Sequence, residues 1–297
     1  MINVSNIMTI AKKEFTDHLR SPVFLSFAVT FTLVILAWSY VKGMEVEYTA
    51  TVLGVPDVMR GFEGVAMVVG RFAPIIGIVM GFDTIIKEIR SSSMNVLLTH
   101  PVFRDNIILG KIIGSSLCIF LSLFISINIA AGSMLIVSGI PVTLQHITRI
   151  EIFVVLTFFY SLFFLAIAIL ISTIVKKANT SLLYNIAIWL IFVILFAQLI
   201  FTSVLIVTDD LQIANERTMD CLNFVPSHHY IFSAAGMQDV VKKSFDYYPE
   251  IGGIFDTSHT IVDWLNEFWS SLVVLVVSPI ILLILSVIVF LKKDISL

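Results

Sequence analysis

Six long apolar segments constrain the fold of this chain most, because each is long enough to cross a lipid bilayer. About 20 apolar residues in a helix span roughly 30 Å of hydrocarbon. Arg71 is the one charged residue in six such segments, and the whole chain is 58% hydrophobic and 13% charged. This composition excludes an ordinary soluble domain. The sequence predicts an all-α polytopic membrane protein, one transmembrane domain over residues 1–297. The predicted spans are residues 21–41, 64–82, 112–138, 152–175, 181–207 and 268–291.

The connections between these spans differ in charge on the two sides of the membrane. One side holds residues 1–20, residues 83–111, the lysine pair 176–177 and the tail 292–297, with 11 of the 18 basic and 6 of the 21 acidic residues. Lys and Arg are enriched in cytoplasmic connections. We therefore predict that both termini are cytoplasmic. Residues 42–63 are predicted to be a loop on the outer side, and residues 209–267 form a polar outer region.

The first 20 residues predict an amphipathic helix at the membrane surface. Charged residues alternate with apolar residues at four-residue spacing, which is typical of an interfacial helix and differs from a secretory signal peptide. A charged leader before the first span is the alternative. The charged residues are Lys12, Lys13, Glu14, Asp17 and Arg20, and the apolar residues are Ile7, Ala11, Phe15 and Leu19.

A polar segment, residues 81–111, separates the second and third spans. Asp83, Lys87, Glu88 and Arg90 lie at spacings that place charge on one side of a helix. Pro101 then ends regular helix, because proline fixes its own backbone angle and restricts the residue before it. The pattern predicts a short amphipathic helix on the membrane face.

This segment resembles the loop between the second and third spans of type 2 ABC exporter permeases. The resemblance rests on Asp83, Ile86, Glu88, Arg90, Leu97, Leu98, Thr99, Pro101, Arg104, Ile108, Leu109, Gly110 and Lys111. Ser92, Ser93 and Met94 depart from the Gly-Thr-Leu that is usual in that loop. The triplet Lys13, Glu14, Phe15 also resembles the entry helix of the same family.

The resemblance implies a function and a set of partners. In such permeases this loop forms a cytoplasmic coupling helix that docks on a separate P-loop ABC ATPase subunit, and ATP is bound by that subunit. It also implies a second permease copy, identical or related, and export across the cell membrane. Five residues are then expected to shape or dock the coupling surface: Glu14, Asp83, Glu88, Arg90 and Pro101.

Arg71 lies inside the second predicted span, where a charge is costly. An arginine at the centre of a membrane helix costs about 2.5–3.5 kcal/mol on insertion scales, so it is expected to face protein, water or the interface. A place on a translocation path or at a dimer contact is one interpretation. The alternative is that Arg71 extends its charged end to the membrane surface.

Histidine and methionine residues on the outer side are a weak metal signal. Imidazole and thioether ligands together suit copper. These residues show no metal-ligand spacing, however, and His228 and His229 are better explained as loop residues that cap or hydrogen-bond locally, so no metal site is predicted. They are His146, His228, His229, His259, Met219 and Met237.

The sequence lacks the motifs of several enzyme classes. It contains no GxxxxGK[ST] phosphate loop, and no GxSxG, HExxH or CxxC motif. We therefore expect a non-enzymatic subunit without a cofactor, surrounded by lipid and without a nucleic-acid partner. Two alternatives are an ATPase-independent carrier, disfavoured by the scarcity of ionisable residues in the spans, and a membrane scaffold or sensor subunit that transports nothing.

Overall fold

A computed structural model describes residues 3–53, 57–90, 104–236 and 251–292, and these residues are almost entirely helical. The helices are α1 Val4–Leu19, α2 Pro22–Leu53, α3 Val58–Gly81, α4 Thr84–Arg90, α5 Arg104–Ser138, α6 Leu144–Ile174, α7 Ala178–Trp189, α8 Phe196–Thr208, α9 Leu211–Leu222, α10 Pro226–Ala235 and α11 Ile261–Lys292. A π-helical turn, Leu190–Leu195, joins α7 to α8 without a break.

Six helical units in the described ranges are long and apolar enough to cross a membrane. They are Pro22–Val52, Val58–Glu88, Asp105–Ser138, Leu144–Ile174, Ala178–Thr208 and Ile261–Lys292. Each predicted apolar segment falls on one of these units, and the all-α polytopic prediction is confirmed. The crossings alternate in direction, so α1, α4 and the α6–α7 connection share one side, here called the near face. The α2–α3 connection, α9 and α10 lie on the opposite side, the far face.

The prediction of a loop over residues 42–63 is wrong. Helix α2 continues to Leu53, and α3 begins at Val58. The polar residues of this stretch support helix: Lys42 Nζ donates to Glu45 Oε2 at 2.6 Å, three residues along. Asp57 then caps α3, its Oδ1 accepting from Met59 N at 3.1 Å. Helix α2 therefore extends well beyond the length that the hydrocarbon alone requires.

The last helix begins at Ile261, seven residues before the predicted span at residue 268. Thr260 and Asp263 explain this start. Thr260 Oγ1 accepts from Asp263 N at 3.2 Å, and Asp263 Oδ2 accepts from Thr260 N at 3.0 Å. This reciprocal pair satisfies backbone donors at the helix entry, as a capping box does.

Helices α3 and α6 form the most buried pair, and glycines allow their close approach. A Cβ added at Gly81 would lie 2.6 Å from Ala168 Cβ, and one added at Gly77 would collide with the Ser161 carbonyl. The Gly77–Gly81 pair is thus a packing motif of the small-xxx-small type. Because α3 leads directly into α4, this contact also sets where α4 meets α6.

A buried arginine holds together the elements of the far face. Arg149, in α6, donates through Nη1 to the Ile254 carbonyl and through Nη2 to the His259 carbonyl at 2.5 Å. Ile254 N and Trp264 Nε1 both donate to the Ser233 carbonyl of α10, each at 2.9 Å. Helix α10, the 251–260 segment and the start of α11 are therefore held on the first turns of α6.

Candidate functional site

Three charged side chains from three helices meet at the near face. Lys111 Nζ of α5 lies 2.8 Å from Glu14 Oε2 of α1 and 3.0 Å from Glu88 Oε1 of α4. The side chains are 7% exposed for Lys111, 13% for Glu14 and 20% for Glu88. We call this group the Lys111 cluster. One largely buried ammonium thus bridges two carboxylates that the sequence separates by more than 70 residues.

Small residues bring α1 close enough to α5 for this contact. A Cβ added at Gly110 would lie 2.7 Å from Ile10 Cβ, and one added at Gly114 would lie 2.6 Å from the Ala11 carbonyl oxygen. The start of α1 is fixed as well, because Asn3 N donates to Asn106 Oδ1 at 3.1 Å. Helix α1 therefore lies directly on the first turns of α5.

Helix α4 reaches the cluster because it is held on the end of α6. Ile85 N donates to Ser172 Oγ at 3.2 Å, and both Ile85 and Ile86 are buried. Glu88 follows on the side that faces Lys111. The cluster thus joins α1, α4 and α5, and α4 in turn contacts α6.

The cluster keeps Glu14 ionised. Burial alone would raise the pKa of Glu14, but the hydrogen bond from His18 and the Lys111 ammonium outweigh it and lower the pKa from 4.5 to about 2. His18 Nε2 lies 3.4 Å from Glu14 Oε1 and 3.1 Å from Ser115 Oγ. A second residue of α1 therefore ties Glu14 to α5.

The structure brings together two of the residues predicted from sequence, Glu14 and Glu88. Asp83 lies half-buried just before α4, where its carbonyl accepts from Lys87 N at 2.8 Å, and it is not part of the Lys111 cluster. Arg90 ends α4, with its side chain outside the described part, and Pro101 lies outside the described residues. Lys111 stood in the motif but was not predicted as a site residue.

Arg71 lines a separate cavity of about 210 Å³, here called the Arg71 pocket. Its own carbonyl accepts from Trp189 Nε1 at 2.9 Å, so α3 and α7 touch at this level. Gly70 allows α10 to approach α3, since a Cβ there would lie 2.5 Å from Ile231 Cδ1. The pocket is lined by Met67, Gly70, Arg71, Tyr160, Phe192, Val193, Ile194, Ala197, Gln198, Leu222, Val225, Ser227, His228 and Ile231.

Three of the outer histidines have local partners. His146 completes a capping box at Thr143, and His259 Nδ1 lies 3.2 Å from Asp256 Oδ2. His229 is buried, with Nε2 2.8 Å from the Asn223 carbonyl and Nδ1 3.0 Å from Ser271 Oγ. Within the described ranges no group of three or more His, Cys, Asp or Glu side chains could hold a metal ion. Met237 lies outside these ranges.

Two comparisons agree with the architecture. The model of the ABC-2 family transporter proteins matches residues 8–295. The chain belongs to the ABC-2 transporter family. A probable ABC transporter permease protein, NosY, of Stutzerimonas stutzeri is 23% identical over 207 residues, 69% of this chain and 73% of NosY. Its namesake in Pseudomonas aeruginosa is 26% identical over 193 residues, 64% of this chain and 68% of that protein. As an ABC-2 family member, the chain is a membrane permease subunit of an ABC transporter.

Proposed function

We propose that the chain is the permease subunit of an ATP-driven exporter in the cell membrane, with both termini and the near face in the cytoplasm. A separate P-loop ATPase subunit docks on the near face, and two permease copies, identical or related, form the transport unit. Glu14, Asp83, Glu88, Arg90 and Pro101 shape the docking surface. ATP hydrolysis belongs to the partner subunit.

The Lys111 cluster carries this proposal. Glu88 lies at the start of the segment between the second and third spans, the segment that resembles a coupling helix. Through Lys111 it is tied to α1 and α5, and through the Ser172 contact α4 is tied to α6. A displacement of α4 by an ATPase would therefore move three other helices. Rigid-body movement of packed helices is an established means of switching between transporter states.

Charge supports the same orientation. In the sequence, the connections predicted to lie on this side contain 11 of the 18 basic residues of the chain, which favours the cytoplasm. Helix α8 and the π-helical turn before it have no buried residue within the described chain. Their exposure leaves an apolar helix available for contact with lipid or with the second permease copy.

The test uses two substitutions at adjacent positions of α4, each of which replaces a charged side chain by glutamine. Glu88→Gln removes a charge inside the cluster, and Lys87→Gln removes an exposed charge beside it. Each tagged variant is purified in mild detergent. Size-exclusion profiles report insertion, mass spectrometry reports the co-purified ATPase, and the ATPase rate of the eluate is compared with that of the ATPase subunit alone.

We expect the unmodified chain to recover a P-loop ATPase in stoichiometric amount. Glu88→Gln lowers ATPase recovery or the permease-dependent part of the rate, whereas Lys87→Gln retains most of both. Well-folded permease without any ATPase would reject the proposal and favour a carrier or a scaffold. If Glu88→Gln and the unmodified chain show the same ATPase recovery and the same permease-dependent ATPase rate, the proposed role of the cluster is rejected.

A further inference from the structure

A groove that opens to the side of the molecule runs between α6 and α11, and we call it the α6–α11 groove. Its volume is about 410 Å³, and nine of its eleven lining residues are apolar. Val155 of α6 and Leu265 of α11 belong to opposite walls, and each is 44% exposed, so the groove is accessible from the membrane. A volume of roughly 300–1,000 Å³ and a mostly apolar lining with few polar groups are typical of ligand sites.

Contacts on both sides of the groove fix the two helices that form it. Towards the far face, Arg149 of α6 donates to the His259 carbonyl just before α11. Towards the near face, Ser286 Oγ of α11 lies 3.2 Å from the Ala166 carbonyl oxygen of α6. The groove is therefore bounded at both ends by packed structure, and its shape is set without an occupant.

The groove lies in the far half of both helices. It runs from Thr148 to Phe159 on α6, about 16 Å, and from Trp264 to Val276 on α11, about 18 Å, at roughly 1.5 Å per residue. Phe159 and Val276 are close to the middle of their helices. Because the hydrocarbon core is roughly 30 Å thick, one leaflet contributes about 15 Å. The length and depth of the groove thus match one acyl chain of the far-side leaflet.

Glu151 adds a negative charge near the far-side end of the groove. It follows Thr148 by three residues, belongs to the lining and is half-buried. Its carboxylate has no hydrogen-bond or ion-pair partner among the described residues, and no basic residue lines the groove. An acid at the edge of a membrane span requires a counter-charge or water. At this depth the headgroups of lipids supply cations.

We propose that the α6–α11 groove binds one lipid of the far-side leaflet whose headgroup carries a primary amine, as phosphatidylethanolamine does. One acyl chain lies between α6 and α11, and the ammonium group of the headgroup donates to the Glu151 carboxylate. A primary ammonium has three N–H donors, as in lysine, whereas the quaternary ammonium of phosphatidylcholine has none. The site is remote from the Lys111 cluster and does not depend on ATPase docking.

Trp264 explains why the chain of the lipid, rather than its polar part, occupies the inner groove. The only donor of this side chain, Nε1, is already used by the Ser233 carbonyl at 2.9 Å. Its ring therefore offers apolar surface alone. Leu272, Leu275 and Val276 continue this wall towards the membrane centre. Charge and hydrogen-bonding capacity are thus confined to the end of the groove that holds Thr148 and Glu151.

The test measures lipid binding to the full-length chain, purified in detergent and stripped of lipid. Native mass spectrometry follows phosphatidylethanolamine, phosphatidylcholine and phosphatidylglycerol with identical acyl chains. Glu151→Gln removes the charge, and Val276→Trp and Val155→Trp fill the groove from opposite walls. The controls are Glu267→Gln, an exposed acid of α11 outside the groove, and Val277→Trp, an exposed position next to Val276. Size-exclusion profiles check the fold of each variant.

We expect one phosphatidylethanolamine per chain, bound more tightly than the other two lipids. Glu151→Gln lowers the affinity for phosphatidylethanolamine roughly fivefold, as for the loss of a partly exposed ion pair. It leaves the affinity for phosphatidylcholine unchanged. Val276→Trp and Val155→Trp weaken the binding of all three lipids, because the indole ring takes the place of the acyl chain. Both controls bind as the unmodified chain does.

Three results would overturn the proposal. Equal binding of the three lipids to the unmodified chain would show that the headgroup is not recognised. The same affinity for phosphatidylethanolamine in Glu151→Gln and Glu267→Gln would exclude Glu151 as the counter-charge. Unchanged lipid binding in both groove-filling variants would place the lipid elsewhere, and the loss of a permease dimer in those variants would then assign the groove to a second copy of the chain.

Discussion

Lys111 and Arg71 are both cations in apolar surroundings, and they differ in what surrounds them. Lys111 lies between the carboxylates of Glu14 and Glu88, and both contacts are 3.0 Å or shorter. Arg71 is exposed, and its described hydrogen bond is made by its backbone carbonyl, which accepts from Trp189 Nε1 at 2.9 Å. The comparison separates a buried cation from an exposed one. Where the protein buries the cation and supplies the counter-charge, the cation fixes helices together, whereas the exposed arginine adds little to helix packing through its side chain.

The largest expected effect is at Lys111. Replacing it by methionine leaves two carboxylates facing each other in an apolar contact, and we expect a loss of about 3–5 kcal/mol in the free energy of unfolding. Thermal unfolding in detergent measures it. Adding Glu14→Gln and Glu88→Gln to this variant should restore much of the loss, because no isolated charge then remains. A Lys111→Met variant as stable as the unmodified chain would show that the cluster does not hold the helices.

The next largest effect is a pH dependence of the free energy of unfolding, which comes from Glu14. Its folded pKa of about 2 lies below the ordinary 4.5, a difference equivalent to about 3 kcal/mol. This stabilisation is complete above pH 4.5 and is lost as pH falls towards 2. Thermal unfolding from pH 7 to pH 3 should therefore show the unmodified chain losing stability relative to Glu14→Gln. Parallel pH profiles for the two proteins would contradict the contacts made by Glu14.

A smaller effect on stability is expected at the glycines that allow α1 to pack closely on α5. Gly114→Ala places a Cβ 2.6 Å from the Ala11 carbonyl oxygen, so α1 must shift. We expect a loss of about 1–3 kcal/mol, as for overpacking elsewhere. Gly132→Ala is the matched control in the same helix, because nothing lies within 4 Å of its added Cβ. Similar thermal stability of the two variants would contradict close packing of α1 on α5.

The smallest effect on stability is expected at Arg71, which sharpens the contrast with Lys111. Because Arg71 is exposed and its described contact is through its carbonyl, Arg71→Gln should change the free energy of unfolding by less than about 1 kcal/mol. The measurement is thermal unfolding in lipid-free detergent. A loss as large as that of Lys111→Met would mean that Arg71 also serves to hold helices together.

Local patterns in the sequence were enough to predict the membrane crossings and helix α1. Apolar length determines the spans, and the spacing of Ile7 and Ala11 marks the buried side of α1. The end of α2 was missed because polar composition was interpreted as a loop, although helix in Lys42–Leu53 is supported by local side-chain contacts. Hydropathy does not distinguish a polar helix beyond the bilayer from a polar connection.

The residues that sequence reasoning missed make contacts with residues that are distant in the sequence. Lys111 meets Glu14 across 97 residues, and Arg149 meets the His259 carbonyl across 110. The motif that resembles the family loop includes Lys111. Only the packing of α1 and α4, however, shows that the Lys111 ammonium contacts Glu14 and Glu88.

The π-helical turn between α7 and α8 has a consequence for insertions and deletions. Phe196 N donates to the Ile191 carbonyl, five residues back, so this turn accommodates one residue more than an α-helix would. Deleting one residue from Leu190–Leu195 would restore α-helical bonding at little cost in backbone hydrogen bonds. Because the wide turn absorbs the extra residue, the residues after such a deletion, Gln198 included, would keep the face they now occupy. A deletion elsewhere in α7 or α8 would instead rotate everything after it by about 100°, since an α-helix has about 3.6 residues per turn. This span therefore tolerates a change in length at one turn only.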